Sequence, residues 1–259
     1  MRLPLTALLL FPFLILSACG EEDDGGGQSF NRTPQPNDNF IAIEASLVDA
    51  TADPMAPTWF SGTYLPQLAT APGVVQTRHY TNLGGPPPFP YPGGPTELSF
   101  FHFADAASRN GFSTSAPAMM APTSAAVTQL SRAYYNLTVS ADNGNAAGNL
   151  PNLTVIGLVI DPTVEAQVID WEDNTHVPML MGYQGVGKIV RYTKIAGGTN
   201  DAELPKFLEF FYYYSQADSD AWSEAPEFIA AEEDRAATWT DAQLAINPIV
   251  KGVLGYAMP

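Results

Sequence analysis

Short hydrophobic runs recur along the chain, separated by stretches rich in glycine, proline and acid. In the run FLEFFYYY, residues 207–214, both faces of an extended strand are apolar or aromatic. An antiparallel strand with one wet face alternates apolar and polar side chains instead. This strand is therefore expected to be covered by helices on one side and by a second sheet on the other.

Similar runs predict strands at Phe40–Val48, Val74–Leu83, Glu97–Phe103 and Arg132–Ser140. Apolar spacing predicts a helix within Pro57–Leu68 and a proline-interrupted one over Ser108–Met120. After the turn-rich segment ADNGNAAGNLP (141–151) the order restarts. Strands are predicted at Leu153–Ile160, Lys188–Ile195, Phe207–Ser215 and Leu244–Tyr256. Helices are predicted within Val164–Met181 and over Asp218–Trp239, the latter with Asp218 and Ser219 as start signals.

The restart is a duplication. At a shift of 112 residues, Asp49, Thr51, Trp59, Thr63, Pro66, Leu68, Gly73, Val74, Tyr80 and Thr81 fall on identical residues, from Asp161 to Thr193. That is ten identities in one gapless frame. The period is too long for a solenoid, whose repeats run to roughly 20–50 residues. Each unit reads β-α-β-β-α-β, the ferredoxin-like order. The expected fold is α+β: two tandem ferredoxin-like repeats packed sheet to sheet as an intramolecular α+β barrel. The expected divisions are a leader (1–18), a tether (19–39), a first repeat (40–140), a linker (141–152) and a second repeat (153–259).

Composition narrows the partners. The net charge is −16, which repels a phosphate backbone and excludes nucleic acid. The chain has one cysteine, so it has no internal disulfide and no cysteine-based metal cluster. That cysteine closes the leader MRLPLTALLLFPFLILSACG, in which Leu16-Ser17-Ala18-Cys19 resembles the bacterial lipobox. The resemblance implies a lipoprotein lipidated at Cys19. With Gly20 following, it implies an outer-membrane protein facing the periplasm and held to the membrane only by its lipid. An ordinary secretory signal ending near Ala18 is the alternative reading.

The second repeat carries Trp171-Glu172-Asp173-Asn174-Thr175-His176-Val177-Pro178, then Gly185 and Arg191-Tyr192. This resembles the EthD-like and related dimeric α+β barrel proteins, with a W-x-x-x-H-[VL]-P segment, a glycine and an R-Y pair on the next strand. The segment Pro205–Trp222 extends the likeness. In the first repeat Tyr64 stands where His176 stands and His79 where Arg191 stands. The family includes cofactor-free monooxygenases, polyketide cyclases and haem enzymes. Fold alone therefore does not select a reaction.

The expected site is asymmetric and centred on repeat two. His176 is the proposed proton acceptor, with Tyr192 or Arg191 stabilising developing negative charge. Trp171 and Tyr212 are expected to line a pocket for a small apolar or aromatic molecule. The other reading of His176 is a structural histidine packed on Trp171. Tyr80 and Tyr192 should share one sheet face, and His79 and Arg191 the other. His79 and His102 lie on neighbouring strands, but no third ligand is placed by spacing, so no metal and no cofactor are expected. The chain is expected to be a monomer with an internal pseudo-dimer. A non-catalytic scaffold of the cell envelope is the alternative function.

Overall fold

The computed structural model describes residues 38–82, 96–119, 126–143, 150–199 and 204–258. The lipobox with Cys19, nearly all of the tether, the proline-rich loop at 84–95 and most of the 141–151 linker lie outside the described residues. Repeat one contains β1 (Phe40–Val48), α1 (Ala56–Trp59), α2 (Leu65–Ala69), β2 (Val74–Asn82), β3 (Glu97–Phe103), α3 (Ala106–Met119) and β4 (Val127–Asp142). Repeat two contains β5 (Asn152–Ile160), α4 (Glu165–Trp171), α5 (Val177–Leu180), β6 (Val186–Thr199), β7 (Phe207–Tyr213), α6 (Gln216–Ala221), α7 (Pro226–Thr238) and β8 (Leu244–Met258).

Within each repeat the strand order is that of the ferredoxin-like unit: β4-β1-β3-β2, then β8-β5-β7-β6. The expectation of two sheets packed sheet to sheet is corrected. The repeats join edge to edge instead. β2 pairs antiparallel with β8, and β4 pairs antiparallel with β6. All eight strands thus belong to one continuous sheet whose hydrogen bonding runs round a closed ring. The physical reason is that a four-stranded unit on its own leaves two edges with unpaired backbone N–H and C=O groups, which pair strongly wherever another edge is available.

Alternation along the strands divides the side chains into an interior and two helix-covered faces. Ile41, Ile43, Phe100 and Tyr80 from repeat one meet Val155, Tyr192, Phe210 and Tyr212 from repeat two in the interior. Phe100 packs edge-on against Phe210 with ring centroids 5.2 Å apart. Outside, the helices of repeat one cover Ala42, Phe101, Phe103 and Tyr134. Those of repeat two cover Ile189, Phe211 and Tyr213.

Two local corrections concern the helices. The predicted helix over Asp218–Trp239 is broken into α6, a short 3₁₀ turn and α7, with Pro226 at the start of α7. Its cap is Ser215, whose side chain accepts from the Asp218 backbone N–H, rather than Asp218 or Ser219. Gly73 leads into β2 with φ of +83°, where a Cβ would meet the Ser108 side chain at 2.3 Å. Any other residue there would be strained and would clash.

The interior contact between repeats gives a first prediction. Phe210→Ala should cost roughly 3–5 kcal/mol of stability. A double-mutant cycle with Phe100→Ala, read by urea unfolding, should show coupling between the two positions of roughly 0.5–3 kcal/mol. Additive losses would mean that the two repeats do not share this core.

Candidate functional site

The first helical segment of each repeat contains a π turn at the same place: Phe60–Tyr64 in repeat one and Glu172–His176 in repeat two. The Leu65 N–H bonds the Phe60 carbonyl, and the Val177 N–H bonds the Glu172 carbonyl, each five residues back. A proline follows two residues after each turn. Pro66 and Pro178 bring no N–H, so the helical ladder cannot resume its ordinary four-residue spacing at that position. Such wide turns concentrate at functional sites.

His176 closes the second π turn and is buried. Its ring lies over Trp171 with centroids 4.6 Å apart, and the Trp171 Nε1 donates to Asp234 Oδ2 at 2.9 Å. Nδ1 of His176 has no hydrogen-bond partner among the described residues. Burial pushes its pKa down to about 4, against a smaller raising effect of Asp234. The imidazole is therefore neutral at pH 7.

His176 lines a cavity of about 520 Å³ between the sheet and the helices of repeat two. The sheet contributes Thr154, Ile156, Phe211, Ala245 and Ile246. The helices contribute Leu180, Trp222 and Phe228. Glu232, Arg235 and Asp241 supply a charged side, where Arg235 Nε donates to Glu232 at 2.8 Å. The size and the largely apolar wall with a few polar groups are those of a small-molecule site.

Beside the π turn lies a buried charged cluster. Arg191 on β6 contacts Asp173, and its Nη1 lies 3.5 Å from Glu209 Oε1 on β7. Glu172 is fully buried, and neither of its carboxyl oxygens has a hydrogen-bond partner. Burial pushes the Glu172 pKa well up, and the nearby Glu209 adds to the rise. Burial likewise pushes Glu209 up to about 7, against the lowering effect of Arg191. One guanidinium thus faces two buried carboxyl groups, and the pair retains a proton near neutral pH.

Repeat one fills the same positions differently. The Tyr64 hydroxyl donates to Glu44 Oε1 at 2.8 Å, and Arg132 Nε donates to Glu44 Oε2 at 3.0 Å. Phe60 stands where Glu172 stands, and His79 contacts Glu97 at 2.9 Å where Arg191 holds its carboxylates. Every group in the Tyr64–Glu44–Arg132 set has a partner, which suits a structural role.

The predicted site residues are therefore divided by the sheet. His176 lines the cavity on the helical side, Trp171 packs against its ring without joining the lining, and Arg191 is on the same outer face. Tyr192 and Tyr212 belong to the interior core and do not reach His176. The expectation that Tyr192 assists His176 and that Tyr212 lines its pocket is corrected. On the adjacent strand Tyr192 follows Arg191 directly, so it must point to the opposite face. Phe211, Trp222 and Phe228 take the lining role. His79 and His102 are separated in the same way: His79 faces the helices through Phe60, and His102 faces Asp38 in the interior. No group of three or more metal-ligating side chains occurs among the described residues. Sequence reasoning missed Glu172 and Glu209. The signal for Glu172 was a contrast between repeats, since it aligns with the apolar Phe60, whereas Glu209 falls on Glu97 and gave none.

No family model and no curated protein matches this chain. Solved structures match its fold. An anthrone oxidase-like protein superimposes with a TM-score of 0.56 at 10% identity, over 87% of this chain and 95% of the other. A candidate chlorite dismutase gives 0.51 at 12% identity, over 84% and 94%. A candidate monooxygenase from Fusobacterium nucleatum gives 0.50 at 10% identity, over 85% and 94%. At these identities the likeness is one of fold.

The His176 environment predicts a pH dependence. Its folded pKa of about 4 lies below the unfolded value of 6.5, so its stabilising contribution is full above pH 6.5 and is lost as pH falls toward 4. Integrated over that window it amounts to roughly 3 kcal/mol. The difference in unfolding free energy between wild type and His176→Gln should therefore shrink from pH 7 to pH 4. Denaturant titrations at several pH values measure it, and a constant difference would refute the burial argument.

Proposed function

We propose that the cavity in repeat two binds a small apolar or aromatic molecule and that His176 accepts a proton from it. The observation that carries this reading is a neutral, buried imidazole with an unpartnered Nδ1 in the wall of a largely apolar cavity. The folds named above as oxidase- or monooxygenase-like are consistent with it. Trp171 fixes the ring plane, and the Arg191–Glu172–Glu209 cluster supplies a buried proton-bearing carboxyl group beside the same turn.

Binding without turnover is the second reading. It is favoured by the depth of burial, which makes His176 a weak base as well as a neutral one.

Untargeted mass spectrometry of co-purifying small molecules identifies the ligand. His176→Ala should then weaken its binding by about tenfold or more, while Tyr64→Ala should lose stability with binding intact. Equal binding in both variants would leave His176 a packing residue. Conversion of the ligand by wild type but not by His176→Ala separates the catalytic reading from simple binding.

We further propose that the mature chain is lipidated at Cys19 and anchored in the outer membrane on the periplasmic side. The lipobox supports this reading. Cys19→Ala should yield an unprocessed or released protein in membrane fractionation, and wild-type cleavage and membrane partition in that variant would refute the anchor.

A further inference from the structure

Arg78 has no counterpart in repeat two, where Val190 takes its position. Alternation places Arg78 on the Tyr80 face of β2, and its register partner across β3 is Phe100, so it belongs to the interior. Its residue exposure is 5%. Among the described residues the Nε and Nη1 groups of Arg78 have no hydrogen-bond acceptor and the Tyr80 hydroxyl has no partner, while the Tyr212 hydroxyl is hydrogen-bonded to the same guanidinium. Around them runs a chain of rings: Tyr80 on Phe100 at 5.4 Å, Phe100 on Phe210 at 5.2 Å and Phe210 on Tyr192 at 5.2 Å.

Asp38, the carboxylate whose charge acts on Arg78, is hydrogen-bonded elsewhere. Asp38 Oδ2 accepts from Lys188 Nζ at 2.6 Å, and its Oδ1 lies 3.7 Å from His102 Nδ1. The tyrosines do not act as counter-ions either. Burial pushes Tyr80 up to about 12 and Tyr192 and Tyr212 well above their usual range, so all three remain protonated. A guanidinium this deep carries a large desolvation cost, which Tyr212, Tyr80, Asp38 and Tyr192 oppose, yet two of its N–H groups still lack an acceptor among the described residues. The two unpaired guanidinium groups are donors and the Tyr80 hydroxyl can donate as well as accept, so one acceptor satisfies all three. The aromatic walls favour an anion with an apolar body over a strongly hydrated inorganic ion.

We infer that the interior of the eight-stranded ring takes up a small organic carboxylate, its oxygens held by the free N–H groups of Arg78 and the Tyr80 hydroxyl and its apolar body against Phe100 and Phe210. The site is on the opposite face of the sheet from His176 and is independent of the cavity described above.

Benzoate tests it, with benzamide as the uncharged analogue, by calorimetric titration and thermal unfolding of the whole chain. Benzoate should bind with one-to-one stoichiometry and raise the unfolding temperature, and benzamide should do neither. Arg78→Met should weaken benzoate binding by about tenfold or more. Without ligand, that variant should unfold at the wild-type temperature or above it, because it removes a buried guanidinium with two unpaired N–H groups and Val190 shows that an apolar residue fits the equivalent position. Tyr80→Phe should weaken benzoate binding with little change in stability. The proposal is overturned if benzoate fails to bind at about 20 mM, if benzamide binds equally well, or if Arg78→Met keeps wild-type affinity. It is also overturned if Arg78→Met is strongly destabilised, since the Tyr212 and Asp38 interactions would then account for Arg78 without a ligand.

Discussion

Backbone pairing at the two seams between repeats is the constraint on which the other features depend. A ferredoxin-like unit ends in β2 on one side and β4 on the other, and its copy ends in β6 and β8. Each of these edges carries a row of donors and acceptors that must be satisfied. Pairing β2 with β8 and β4 with β6 satisfies them within one chain. Once the ring is joined, every strand has an inner side enclosed by the other strands and an outer side available to helices. This explains why FLEFFYYY has no polar face: Phe210 and Tyr212 point inward and Phe211 and Tyr213 outward, and both sets are buried.

The same division separates three kinds of polar chemistry. The outer face of repeat one holds a closed set in which Glu44 receives Tyr64 and Arg132. The outer face of repeat two holds an open set, with His176 at a cavity and Glu172 without partners. The interior holds Arg78 and the Lys188–Asp38 pair. Two repeats of the same strand order thus bear unlike polar groups, and Glu172, His176 and Arg78, each unlike its counterpart, are among those with unsatisfied groups. Natural folds tolerate such local violations mainly where a ligand or a reaction compensates for them.

Much of the fold was legible in the sequence because the strands are strongly hydrophobic and the duplication shows each element twice. β1 and β3 fall on the predicted residues, and the other strands differ chiefly at their ends. The joining of the sheets was not legible, because hydrophobicity shows that a face is covered but not whether strands meet edge to edge. Pro226 was visible in the sequence, but the surrounding helical pattern obscured the break it makes. His176 was found through its neighbours Trp171 and Pro178. Glu172 was not, because EDNTH reads as a polar helix surface, whereas the π turn carries its first residue inward.

The paired π turns also bear on history. A π turn arises when one residue is inserted into an α-helix. Both repeats carry it at equivalent residues, Phe60–Tyr64 and Glu172–His176, in one unbroken 112-residue frame. Two independent insertions at one position are a far less economical account than a single older one. The insertion therefore predates the duplication, and the ancestral half-length chain already possessed it. Two copies of that ancestor, meeting at the same seams, would have presented two equivalent turns. Tyr64 and His176 mark a position at which the two turns have since diverged.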